Sequence, residues 1–240
     1  FGYSRIHNKP VVEILIPRLS NTLLLMGSSL ILALAFAIPM GIWAAIRPRS
    51  HIDFLINLIA LGGTSIPIFW LGLLLIVVFS VWLGVLPASA MYEQGSDTLD
   101  RIKHLMLPVL ALALATIGQL TRHMRAAMIE VLREDYIRTA RAKGLRNRKI
   151  IIHHALPNAM MPVITVITLS FGGLFSGALI TETMFSYLGT GKLIFDSIMG
   201  NDYNMALVGL LFATILVLFS NLIADLLYAR LDPRVRYDRR

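Results

Sequence analysis

Residues 134–157 read EDYIRTARAKGLRNRKIIIHHALP, a polar, basic interlude between two apolar runs that are each long enough to cross a bilayer. From Glu130 to Pro157 there are seven Lys or Arg and three acids, a local net charge of +4. The first half has the spacing of a short helix. Leu132, Tyr136 and Ala140 fall at i, i+4 and i+8 on one face, while Arg133, Arg138 and Arg141 point elsewhere. Gly144 is expected to end that helix, because glycine accepts the left-handed conformation of a helix C-terminus, and Leu145 supplies the usual hydrophobic contact. Asn147 is placed to cap a second short helix, which Leu156-Pro157 should terminate. Two short helices about a glycine hinge at a membrane face suit docking into another protein.

Composition agrees with a membrane setting. Hydrophobic residues make up 56% of the chain and charged residues 15%, with a mean hydropathy of +0.71. Soluble domains carry about 25% charged residues, so an all-α polytopic membrane protein is expected, folded as a single domain over 1–240. The chain has no Cys, so disulfides and thiolate chemistry are ruled out. The net charge of +8 does not argue for nucleic acid. The basic residues cluster at the ends of apolar runs and lack interleaved aromatics, which fits membrane orientation and contact with lipid.

Five spans are legible, at about 21–46, 54–83, 105–127, 159–180 and 205–228. Phe1 to Ser20 is too polar to span, and its stripe of Val11, Ile14, Leu15 and Leu19 suits an interface, with Pro17 interrupting it. Gly62, Gly63 and Pro67 predict a bent or broken second helix. Polar loops are expected at Gly84–His104, carrying Glu93, Asp97 and Asp100, and at Thr181–Asn204. The fourth run is rich in Thr165, Thr168, Ser170, Ser176 and glycines, which permit close helix packing and hydroxyl bonds to a neighbour's backbone. Asn57, Thr64 and Ser65 admit the same packing reading or, alternatively, a place in the wall of a pathway.

Charge sets the orientation. With the 134–157 loop inside, the inside segments hold sixteen Lys or Arg and the outside segments six, which together are all 22 in the chain. Residue 1 then lies outside and the C-terminus in the cytoplasm, and a sixth span is expected upstream of residue 1.

Candidate chemistry is sparse. The Walker A pattern G-x-x-x-x-G-K-[ST] does not occur, so no ATP site is expected and the chain is read as a non-enzyme. His153 and His154 are adjacent and cannot converge on one metal as an i, i+4 pair would, so no metal site and no cofactor are expected. Gly189 and Gly191 in FSYLGTGKL lack phosphate-loop spacing and read as a turn. Glu182 and Asp225 mark helix ends. The spans contain no charge before their terminal turns, which speaks against a proton-coupled carrier.

The 134–157 stretch resembles the cytoplasmic signature loop of bacterial ABC importer permeases, whose pattern is EAA, three residues, Gly, nine residues, then I-x-L-P. Gly144, Leu156 and Pro157 hold that spacing, the EAA positions fall on Arg138, Thr139 and Ala140, and the Ile position is His154. DYIRTARAKGL is similar to the variant of the dipeptide, oligopeptide and nickel branch. The similarity runs from Phe1-Gly2 to LDPRVR at 231–236. It implies a type I importer permease fold with six spans in the bacterial inner membrane. It also implies coupling to ATPases through the 130–157 loop, with Glu134, Asp135, Arg138, Thr139, Ala140, Lys143, Gly144, Leu156 and Pro157 as coupling residues. Ala140 is expected to sit against the ATPase groove. The implied partners are a second homologous permease subunit, two ATP-binding subunits and an extracytoplasmic solute-binding protein. Cargo would be a peptide or a related small solute such as a nickel chelate or opine. Asn57, Ser65, Thr168, Ser176 and Glu182 are the candidates for the translocation path, and the loop beginning near Glu182 is expected to fold back toward the cargo entrance. A self-contained channel or secondary transporter is the alternative; co-purification with an ATPase and a second permease separates the two.

Overall fold

A backbone in hydrocarbon must satisfy its own N–H and C=O groups, and a helix does so within one segment. The structure, a computed structural model, describes residues 1–90 and 97–231. Glu93 and the LDPRVR stretch beyond Leu231 lie outside the described residues. Nine α-helices and no strand occur among those described. They are α1 (Val11–Ile46), α2 (His51–Ser65), α3 (Ile68–Leu75), α4 (Thr98–Val131), α5 (Asp135–Ala142), α6 (Asn147–Lys149), α7 (Leu156–Met184), α8 (Thr190–Met199) and α9 (Tyr203–Leu231). Helix α3 runs on into a π-helical segment at Ile76–Trp82, and another at Ile150–Ala155 joins α6 to α7. Among the described residues four helical segments are long and apolar enough to span, and α2 with the Ile68–Trp82 segment, bent by 104° at the break, counts as a fifth if the pair is one span. The break falls at Ile66 and Pro67, where proline removes a backbone donor.

Several boundaries differ from expectation, each for a local reason. Helix α1 begins at Val11, ten residues before the expected span, and passes through Pro17. Val11 and Leu15 are fully buried against Leu193, Met205 and Val208, and this packing holds the first turns despite the missing N–H. At about 1.5 Å per residue, the 36 residues of α1 run to about 54 Å, longer than a hydrocarbon core of about 30 Å. Helix α4 starts at Thr98 and carries Pro108 within it. Leu156-Pro157 does not end a helix, because the chain continues helically from Asn147 to Met184. The wide π-helical turn just before Pro157 takes up the steric conflict a proline brings, and Asn158 donates its amide to the His154 carbonyl at 2.7 Å. Arg146, not Asn147, is the N-cap residue of α6. The 181–204 segment, expected as a loop, contains α8. On α7, Thr168, Ser170, Thr181 and Thr183 bond the carbonyls four residues back on their own helix, not a neighbour's backbone.

The chain forms two compact units. One comprises 1–32, 66–115 and 171–219, with a core that includes Leu25, Met26, Leu107, Leu112, Phe185 and Ile194. The other comprises 33–65, 116–170 and the chain from 220 onward, with a core that includes Met124, Met128, Ile137, Ile150, Ala155 and Ala159. Apolar side chains such as Ile31, Leu207 and Leu218 are more than 60% exposed, as expected where the solvent is lipid. In that setting close packing, rather than escape from water, holds helices together.

Candidate functional site

Helix α5 carries the loop's chemistry on one face and its anchorage on the other. Ile137 and Ala140, three residues apart, are buried among Met124, Met128, Ile150 and Ala155. Tyr136, which the helical spacing places on one face with Leu132 and Ala140, is 43% exposed, and Ile137 rather than Tyr136 accompanies Ala140 in the core. Tyrosine tolerates such an edge because its ring is apolar and its hydroxyl polar. Partial burial and the nearby Glu134 charge push the Tyr136 phenol above its ordinary pKa, against an opposing hydrogen bond with Asn158.

The outer face presents Glu134, Asp135, Arg138, Thr139, Arg141 and Lys143, all exposed. Arg138 pairs with Asp135 at 3.1 Å, but both side chains are well exposed, so the pair contributes less than about 1 kcal/mol. Thr139 bonds the Asp135 carbonyl at 3.0 Å, which stiffens the helix start. Ala140, expected against a partner's groove, is 7% exposed and packs inside this chain. A small side chain is what lets α5 lie close to that core.

The helix ends as its glycine requires. Gly144 has φ +76°, the left-handed region. The Leu145 N–H donates to the Ala140 carbonyl at 3.3 Å and the Gly144 N–H to the Arg141 carbonyl at 2.9 Å. This pair of bonds is a Schellman motif, with half-buried Leu145 packed on the core below. Leu156 is half-buried against the same core, and Pro157 is exposed.

An unforeseen anchor lies in the same unit. Asp53, 4% exposed, receives the Arg125 guanidinium through Nε at 2.6 Å and Nη2 at 2.7 Å. The Arg49 N–H at 2.9 Å and the Asn57 side chain at 2.6 Å complete its acceptor capacity. Ser50, before the first turn of α2, accepts the Asp53 N–H at 3.2 Å as a cap. The Ser-x-x-Asp spacing of 50–53 is a capping signal visible in the sequence. The partner Arg125, 72 residues away, is not.

The candidate path residues have local partners. Asn57 is bound to Asp53, Ser65 to the Leu61 carbonyl and Thr168 to the Ile164 carbonyl, while Ser176 is exposed. No hydrogen bond joins any two of the five among the described residues. Glu182 is fully buried rather than open to a path. Its carboxylate accepts the Thr22 hydroxyl at 2.6 Å and the Lys192 N–H at 3.1 Å. Thr22 in turn accepts the Thr190 N–H at 2.8 Å. The carboxyl group is thereby seated as a hydrogen-bond acceptor at the amino end of α8. Gly189 belongs there because a Cβ would overlap that carboxylate.

Residues 37–237 match the family model described as "Binding-protein-dependent transport system inner membrane component". The "Oligopeptide transport system permease protein AppB" of Bacillus subtilis (strain 168) is 44% identical over 240 residues, covering 99% of this chain and 76% of AppB. The "Dipeptide transport system permease protein DppB" of Escherichia coli (strain K12) is 38% identical over 259 residues, covering 98% of this chain and 76% of DppB. Among solved structures, an inward-facing form of the MetNI methionine ABC transporter matches at TM-score 0.76 with 18% identity, covering 93% of this chain and 98% of that one. That likeness is one of fold.

Proposed function

As the chain belongs to the family of binding-protein-dependent transport system inner membrane components, we propose that it couples ATP hydrolysis in partner subunits to the import of peptides. It is a helical, multi-pass inner-membrane permease of the ABC importer class, related to peptide transport permeases. In this reading its partners are a second homologous permease, two ATP-binding subunits and an extracytoplasmic solute-binding protein. The two compact units act as one permease domain. Asn57, Ser65, Thr168 and Ser176 are proposed to face the path, while Glu182 holds α8 in position.

The observation that carries the coupling role is the two-faced α5. Its inner residues Ile137 and Ala140 are locked into the core, and its polar outer face stands free and basic. Force applied to such a helix is transmitted to α4 and α7 through packed side chains rather than lost in a flexible loop. Closure of the ATPases would shift the permease between inward-open and outward-open states by as much as ATP favours one over the other. Ala140 contributes as a positioning residue, and Asp135, Arg138, Thr139 and Lys143 make the contact.

The test is purification with the ATP-binding subunits and a second permease, followed by reconstitution. Uptake of a peptide should require internal ATP and external solute-binding protein. Uptake by this chain alone would contradict the proposal and favour a self-contained carrier. Sidedness is read from single cysteines: Asn201→Cys should react with an impermeant thiol reagent from outside, and Asn147→Cys only after permeabilisation.

A further inference from the structure

A groove of about 400 Å³ lies where α1 gives way to α2, lined by Trp43, Ile46, Arg47 and Ile52. Its apolar walls are open to the surroundings: Trp43 is 65%, Ile52 46% and Ile46 40% exposed. No acidic side chain lines it among the described residues. The acid nearest in sequence, Asp53, is saturated by Arg125, Arg49 and Asn57. Arg47 therefore keeps its charge uncompensated, with no ion-pair partner among the described residues, and Arg49 adds a second cation in the same turn. That turn is held in shape, since Arg49 sits at φ +63° and its N–H is bonded to Asp53.

We infer that this groove is a binding site for an anionic phospholipid, with the phosphate at Arg47 and the first acyl carbons against Trp43, Ile46 and Ile52. The position is the end of a spanning helix, where tryptophan and arginine meet the headgroup level. Charge complementarity selects an anionic headgroup over a zwitterionic one, and the apolar walls select a lipid over free phosphate. The inference rests on the reading of the chain as a membrane subunit.

The test uses the full chain with Trp70→Phe and Trp82→Phe, so that Trp43 is the sole tryptophan emitter, reconstituted into mixed phosphatidylcholine and phosphatidylglycerol vesicles. Bromine is placed on one lipid or the other at equal mole fraction. Brominated phosphatidylglycerol should quench Trp43 as though enriched about fivefold, equivalent to ~1 kcal/mol for one arginine near the surface. Arg47→Gln should abolish the excess, Arg47→Lys should keep most of it, and added inorganic phosphate should leave it intact. Equal quenching by the two lipids, or an excess that survives Arg47→Gln, would overturn the site. Loss of the excess on adding phosphate would assign the groove to a free anion and reject the lipid. Quenching by neither lipid would contradict the membrane placement itself, so the two failures are distinguishable.

Discussion

Arg125 grips both carboxylate oxygens of Asp53, tying the first turn of α2 to α4 across 72 residues of sequence. A bidentate guanidinium supplies two parallel charge-assisted bonds, and the remaining acceptor sites of the carboxylate are filled by Arg49 and Asn57. The pair holds the Arg47–Ser50 turn as well as the helix contact.

Removing one partner leaves a buried charge without its counterion. Asp53→Asn or Arg125→Gln should each destabilise the protein by ~3 kcal/mol, the lower end for buried pairs because Arg125 is 27% exposed. Arg125→Lys should recover only part, since an ammonium cannot fork across both oxygens. The double replacement should cost clearly less than the sum of the singles. Thermal unfolding of the assembled complex in detergent measures all four; strict additivity would show that the two side chains do not act together.

Glu182 is expected to matter for the position of α8 rather than for cargo affinity. Glu182→Ala strips buried donors of their acceptor and should cost ~1–3 kcal/mol, with Glu182→Gln milder. Hydrogen exchange at the α8 amides should accelerate in both variants. Unchanged exchange at Gly191 and Lys192 would contradict this capping role.

The N-terminal segment should loosen in acid. Burial alone would raise the Asp202 carboxyl, but the Ser4 hydroxyl and the N–H groups of Ile6, Arg5 and Met205 outweigh it and hold the carboxyl below its ordinary value of 3.8. A group with a lowered folded-state pKa stabilises fully above its unfolded pKa and loses that contribution as pH falls through the folded one. Protease cleavage within residues 1–10 should therefore be slow at neutral pH and rise below about pH 4. In Asp202→Asn it should be faster at neutral pH and nearly flat with acid. Identical pH profiles for the two proteins would count against the contact.

Helix class and the five apolar segments were legible in the sequence because hydrocarbon length and uncharged runs admit few alternatives. The Gly144 stop was legible too, since the left-handed requirement is local and few residues other than glycine meet it. What escaped was set by tertiary contact. Tyr136 and Ile137 are equally plausible inner residues on periodicity alone, and only the core formed by Ile150 and Ala155 selects Ile137. Pro17 and Pro157 read as interruptions, but packing in the first case and a π-helical turn in the second carry the helix through. Asp53 with Arg125, and Asp202 with Ser4, join residues that no spacing rule connects.

Gly144 offers a graded test of the loop geometry. A Cβ there would meet nothing within 4 Å, so any penalty comes from φ +76° and not from a clash. Gly144→Val should cost ~1–2 kcal/mol and uncouple ATP hydrolysis from uptake, whereas Gly144→Asn, which tolerates the left-handed region, should stay near wild type. Equal uptake by the two variants would remove the backbone from the explanation.

The outer face of α5 is proposed to contact an ATP-binding subunit. A photoreactive amino acid placed singly at Arg138, at Thr139 and at the outward-facing Leu218 of α9, in assembled and transport-competent complexes, reads that contact without knowledge of the partner's surface. Irradiation should yield an adduct with the ATP-binding subunit from Arg138 and Thr139 and none from Leu218. Failure of both α5 positions to form that adduct, in complexes that still import cargo, would contradict the coupling role of this helix.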